Sequence, residues 1–220
     1  RVSFVKPFPK GYRKFNVGET YYMNFRTNLL LLMILCLWSD NLIARQKVTL
    51  LDGKDIYDVG YDISIFEDSS NKLTINDISK NEYSSQFKSS KTKIPNIGIS
   101  RSSFWVKINI ENKNHPSSVW LLAFEQVWCD YVELYKKVSG EWKAITRTGD
   151  RRVFSTRDVK NRNFVFKIKP EKETTYYLKV KSDDGVQIPL KLYSPIAFSE
   201  KENFKMAGFG FFYGIMFVMI

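Results

Sequence analysis

From Ile63 onward, hydrophobic and polar residues alternate with a period of two over stretches of five to ten residues. That period places successive side chains on opposite faces of a β-strand. In "FWVKINIEN", Phe104, Val106, Ile108 and Ile110 share one face, and Trp105, Lys107 and Asn109 share the other. "SVWLLAFEQ" follows the turn "NKNHPSS". "DYVELYKKV" and "EWKAITRTG" flank Ser139–Gly140 and form a hairpin. "NFVFKIKP", "TTYYLKVKS" and "VQIPLKLYS" complete the series. Short strands rich in aromatic and β-branched residues, spaced by turn residues, predict an antiparallel sandwich or barrel. Helix is expected only in "TINDISKNEYSS", capped by Asn76 or Asp77, and in "SEKENFKMAGF". The latter has Ser199 as its N-cap and Glu202 three residues on. Pro195 marks the stop of the last strand.

The two ends of the chain break this pattern. Met206 to Ile220 carries no charge. As a helix it would cover about 22 Å, against about 30 Å of hydrocarbon. It reads as a membrane helix that begins here and is cut off, with a buried C-terminal core helix as the alternative. Near the other end, Leu29 to Trp38 form an apolar run behind Arg26. That run fits a secretory signal peptide over residues 23–44, with an uncleaved signal anchor as the rival. Residues 1–22 precede Met23 and read as a non-native extension. Together the ends predict export of the alternating middle.

Composition narrows the function classes. The formal net charge is +11, from 34 Lys+Arg against 23 Asp+Glu. The cations are scattered singly among apolar residues, as on the solvent face of strands, and no zinc-finger spacing or basic heptad is present, so nucleic acid is not an expected partner. Of the two cysteines, Cys36 lies in the signal peptide and Cys129 is left alone, so no internal disulfide is expected. Cys129 reads as a small buried residue.

Catalytic chemistry is sparse. His115 is the only histidine and sits in a turn. There is no nucleophile elbow, P-loop or dinucleotide-binding glycine pattern. Asp183–Asp184 before Gly185 reads as a turn, with a calcium site as the alternative. The chain is therefore expected to be no enzyme and to need no cofactor or metal. The aromatic residues are more suggestive, because flat rings on an open sheet face stack on sugars. Trp120 reads as core. Trp105 opposes Phe104 and Val106 on its strand, so it faces away from the core, toward either a ligand or a covering loop.

"IPNIGISRSSFWVKINIEN" also resembles a known family, with Gly98 seven residues before Trp105 and a strand ending in Asn. It is similar to the periplasmic (type 2 extracellular) domain of bacterial seven-transmembrane receptors with diverse intracellular signalling modules. The similarity continues through "VWLLAFEQVWCDYVELYKKVSGEW", "TTYYLKVKSDDGVQIPLKLYSP" and "GFFYGIMFVMI", which looks like the opening of the first membrane helix. Where that family has Arg two residues after the Trp, this chain has Lys107, which keeps the charge. The resemblance implies a jelly-roll (galactose-binding-like) β-sandwich, further membrane helices and a cytoplasmic output domain.

The combined expectation is an all-β sandwich over residues 63–198, preceded by a linker at 45–62 and followed by a connector and helix start at 199–220. It would lie in the periplasm, at 45–205, of a bacterial inner-membrane receptor. A carbohydrate or other small molecule would bind, with Trp105, Lys107, Arg101 and Trp128 as candidate contacts and homodimerisation as an expected option. The alternative is a surface-anchored carbohydrate-binding module without a signalling role.

Overall fold

The computed structural model describes residues 47–113 and 118–219. The expected extension at 1–22, the signal peptide at 23–44 and the turn histidine His115 lie outside the described residues.

Among the described residues, thirteen strands form two larger sheets and one small one. The seven-stranded sheet runs in the order β4 (Lys88–Ser89), β3 (Ile63–Asp68), β6 (Ser103–Asn112), β11 (Glu173–Lys181), β8 (Tyr131–Val138), β9 (Glu141–Thr148). β1 (Val48–Leu50) adds to it in parallel beside the second half of β6. The four-stranded sheet runs β10 (Phe164–Ile168), β7 (Trp120–Phe124), β13 (Leu190–Tyr193), β2 (Ile56–Asp58). β5 (Asn96–Ile99) and β12 (Gly185–Gln187) pair separately. Apart from β1, the pairings are antiparallel.

The predicted alternation sorts the side chains. Phe104, Val106, Ile108 and Ile110 of β6 meet Tyr176, Leu178 and Val180 of β11 and Val132 and Leu134 of β8 in one core, with Leu122, Phe124, Phe164 and Phe166 contributed by the other sheet. Each such side chain contributes about 1.5–3 kcal/mol when taken from water, so this register strongly disfavours a one-residue slip that would turn the apolar set outward. Cys129 is buried in the same core and is a free thiol, as its sequence setting suggests. The Ser139–Gly140 hairpin has positive φ at both turn residues, 51° and 86°, as a two-residue loop between twisted strands demands.

Three boundaries differ from expectation. The sandwich begins at Val48, because β1 and β2 fall in the stretch read as linker. The "TINDISKNEYSS" segment forms two short helices, α1 (Ile75–Ile78) and α2 (Asn81–Ser84). Thr74, not Asn76 or Asp77, occupies the N-cap of α1, and its backbone N–H donates to Asp77 Oδ2 at 3.0 Å. The last helix, α3 (Pro195–Val218), starts four residues before the expected cap. Ser194 caps it, its Oγ accepting from the Ala197 N–H at 3.2 Å, and Pro195 opens the helix instead of only ending the strand.

α3 lies on the outer face of the four-stranded sheet. Phe198 packs with Leu121, Ala123, Val165 and Tyr193. One turn later, the Lys201 ammonium bonds the Glu125 carboxylate and lies 2.7 Å from the Tyr193 hydroxyl. Glu202 accepts from Asn161 Nδ2 at 2.8 Å. Beyond Lys205 the side chains up to Met219 are exposed and apolar or small. Among the described residues, no helix is long and apolar enough to cross a membrane.

Candidate functional site

The outward face of the seven-stranded sheet carries a band of rings across neighbouring strands. Phe66, Trp105, Tyr177, Tyr135 and Trp142 come from β3, β6, β11, β8 and β9. They are adjacent because register pairs Phe66 with Trp105, Tyr177 with Tyr135, and Lys137 with Trp142. The segment spanning α1 and α2 lies over one side of this band. Ile75, Ile78, Leu73, Tyr83 and Phe87 form a second, smaller core with it.

This cover is the second of the two settings read for Trp105. The residue does face away from the main core, as its opposition to Phe104 and Val106 requires. It is 0% exposed, however, and it stacks at a tilt on Tyr135 with ring centroids 5.6 Å apart. The Lys179 ammonium sits 4.9 Å above its ring and donates to the Leu73 carbonyl at 3.3 Å. Trp105 therefore anchors the cover and is closed to a ligand. Lys107 shares its face and is half-buried. Arg101 and Trp128 are exposed, but they lie at the end of the sandwich where β6 begins and β7 leads into β8. The four predicted contacts do not converge on one pocket.

A cleft of about 630 Å³ lies where the α1–α2 cover stops. Trp142, Lys136, Lys137, Glu171, Glu173 and Thr175 line it, around the Ser139–Gly140 turn. Its volume falls within the few hundred to ~1,000 Å³ that small ligands occupy. Trp142 is half-buried, and its edge meets Tyr177 at 5.0 Å and 78°, which leaves the ring fixed in orientation. Lys136 pairs with Glu171 at 2.8 Å and holds that carboxyl below its usual range. Thr175 Oγ1 donates to Asn109 Oδ1 at 2.9 Å. Glu173 and Lys137 are exposed. A rigid ring flanked by carboxylates, ammonium groups and hydroxyls can stack one flat face of a ligand and hydrogen-bond its edges.

Two other recesses suit such a ligand less well. A recess of about 150 Å³ at the opposite end of the same face is lined by Asn71, Ser103, Tyr131, Glu133, Lys179 and Lys181. It has room for about five waters at roughly 30 Å³ each. Its Glu133 is already engaged by Arg152 at 2.9 Å and by the Tyr135 hydroxyl at 2.5 Å. Burial, with Glu133 beside it, pushes the Tyr135 hydroxyl's pKa up. A groove of about 490 Å³ beside β3 and β4 has no Trp or Tyr in its lining. Among the described residues, no group of three or more His, Cys, Asp or Glu could hold a metal ion. Asp183, one of the carboxylates weighed for calcium, pairs with Arg151 at 2.8 Å.

The family model described as 7TMR-DISM extracellular 2 matches residues 60–194, more than half of the chain. The chain belongs to this family. The 7TMR-DISM match runs from just after β2 to the residue that caps α3, covers β3 to β13, and supports the resemblance read from the strand motifs. The sandwich is accordingly the extracellular sensor domain of a membrane receptor, and it is membrane-associated. Comparison with curated proteins finds no match. Within this 7TMR-DISM domain, sequence reasoning did not single out Trp142, Glu173 and Thr175 as cleft residues. The usable signal was the tight Ser139–Gly140 turn, which puts Trp142 opposite Lys137 on the outward face.

Proposed function

We propose that the domain is the periplasmic ligand-sensing module of a bacterial inner-membrane receptor and that it takes a carbohydrate or similar small polar ligand in the Trp142 cleft. The observation that carries this reading is the fixed, half-exposed Trp142 ring set among Glu173, Lys137 and Thr175 in a cleft of about 630 Å³. Met206 onward enters the bilayer as the first of several membrane helices. Ligand binding biases the arrangement of those helices, and hence a cytoplasmic output domain, by binding one arrangement more tightly than the other. In this reading the cleft binds its ligand and does no chemistry on it.

The test is a titration of the full chain, in detergent micelles, with neutral and acidic mono- and disaccharides, followed by tryptophan emission. A sugar that binds is then measured against Trp142→Ala and Glu173→Ala. Loss of one stacking contact, about 1 kcal/mol, weakens binding about fivefold in Trp142→Ala. Glu173→Ala leaves the fold intact, because its carboxylate is exposed, and weakens the same ligand. Unchanged affinity in both variants would place the ligand elsewhere and overturn the assignment of the cleft.

A further inference from the structure

One end of the sandwich combines exposed apolar side chains with exposed cations, and α3 points toward it. The helix begins beside Tyr193, crosses the outer face at Phe198, and reaches Glu125 and Asn161 through Lys201 and Glu202. It therefore leaves the domain at the end that holds the loops at 125–130 and 149–163. Met206 lies four residues beyond Glu202, about 6 Å along the axis. Whatever surrounds the apolar part of α3 thus begins within about one helical turn of the 149–163 loop.

That end is built to be rigid. The Asp150 N–H donates to the Cys129 carbonyl at 2.8 Å, and the Arg151 N–H donates to the Asp130 carbonyl at 3.3 Å. The Asp183 N–H donates to Asp130 Oδ2 at 2.9 Å, and Ser182 Oγ donates to the Trp128 carbonyl at 2.9 Å. On this clamped backbone the Trp128 side chain is 69% exposed, Val153 70% and Phe154 53%. The 149–163 loop also carries Arg151, Arg152, Arg157, Lys160 and Arg162 against Asp150 and Asp158. The first three cations are used internally, by Asp130 and Asp183, by Glu133, and by the carbonyls of Asn161 and Arg162. The side chains of Lys160 and Arg162 are exposed and have no partner among the described residues.

An amphipathic indole, two further apolar side chains and free cations are the residue types that settle at a bilayer's polar–apolar boundary, where anionic headgroups attract Lys and Arg. We propose that this end of the domain rests on the bilayer surface beside α3. Trp128, Val153 and Phe154 sit at headgroup depth, and Lys160 and Arg162 lie against anionic lipid. The proposal rests on the reading that α3 enters the membrane, and it adds a second, independent lipid contact made by the sandwich itself.

The experiment uses the full chain with Trp38→Phe, in vesicles of phosphatidylcholine and phosphatidylglycerol brominated near the headgroup end of the acyl chains. α3 has no tryptophan. Trp105 and Trp120 are buried, and Trp142 lies at the other end of β8, about 23 Å away at the usual rise per residue. Bromine quenching therefore reports on Trp128. Quenching is expected, and it is lost in Trp128→Phe. It also falls in Phe154→Ser, in Lys160→Glu with Arg162→Glu, and in vesicles of phosphatidylcholine alone. Flotation with the vesicles, compared with the same chain carrying Phe211→Asp and Phe217→Asp, reads α3 insertion separately. A chain that floats without quenching overturns the docking and leaves α3 insertion standing. A chain that does not float overturns both. A blue-shifted Trp128 that bromine does not quench assigns the surface to a protein contact and also overturns the docking.

Discussion

Trp105→Ala separates a structural role for this residue from a ligand contact. The ring is fully buried between the sheet and the α1–α2 cover, against Tyr135, and beneath the Lys179 ammonium. Its loss leaves a cavity in the domain's second core, lined by Ile75, Ile78 and Tyr177. Truncating a buried Trp to Ala costs about 3–5 kcal/mol. For a domain of this size each kcal/mol moves the melting temperature by roughly 2–4 °C, so the variant should melt about 6–20 °C lower. Lys179 loses the ring beneath it, and the cover should loosen. Differential scanning fluorimetry gives the shift, and amide exchange over Thr74–Ser85 reports on the cover. Trp105→Phe, which keeps an aromatic surface, should show a smaller drop. A Trp105→Ala protein that melts within about 2 °C of the parent, on the same scale, while losing affinity for a ligand, would refute the burial argument and restore Trp105 as a contact.

Two further outcomes follow from the core and the loop clamp. Gly149 has φ +144°, and a Cβ there would sit 2.0 Å from the Asp130 carbonyl oxygen, so Gly149→Ala should force the 125–130 and 149–163 loops apart. A lower melting temperature, with faster exchange of the Asp150 amide, checks this. Burial pushes the Cys129 thiol up from 9.0 to about 12. In a Cys36→Ser chain at pH 8, Cys129 should therefore resist a thiol-specific disulfide reagent and react only after unfolding in denaturant. Because the folded-state value is raised, this group's stabilising contribution is complete below pH 9 and is lost as the pH rises toward 12. Equilibrium unfolding across that window, compared with Cys129→Ala, gives its share.

The strands were legible because alternation and burial report the same thing. The apolar positions of β6, β8, β10 and β11 that share a face in the sequence point into the common core, except Val138, which is exposed beside the Ser139–Gly140 turn. β1 and β2 were not legible, because three residues are too few to establish a period. The cover over Trp105 was harder for a different reason. Its partners Phe66, Tyr135 and Tyr177 come from three other strands, and only the pairing register brings them side by side. A strand read alone sees one outward ring and leaves open whether a ligand or a loop lies over it. The start of α3 was misplaced because two capping signals compete within five residues. Ser194 is followed by Pro, which is preorganised for the first helical position, and Ser199 is followed by Glu202. The helix takes the earlier cap because that brings Phe198 onto the apolar face of the four-stranded sheet.

Under the proposed function, the same geometry decides how a signal would leave the domain. β8 and β11 run unbroken from the Trp142 cleft, at Lys137 and Glu173, to the clamped end, at Tyr131 and Lys181. Paired strands with a common packed core do not stretch, so binding at the cleft cannot travel down them as a local slide. It can tilt the sandwich as a body. Such a tilt would carry α3 with it, because Phe198, Lys201 and Glu202 bind the helix to the four-stranded sheet and to the 149–163 loop. A bilayer contact at Trp128 and Phe154 would oppose the tilt, since those side chains would have to leave the interface. The contact at that end would thus set how much ligand binding energy is needed to reorient α3, and the docking surface and the cleft would act on a single equilibrium.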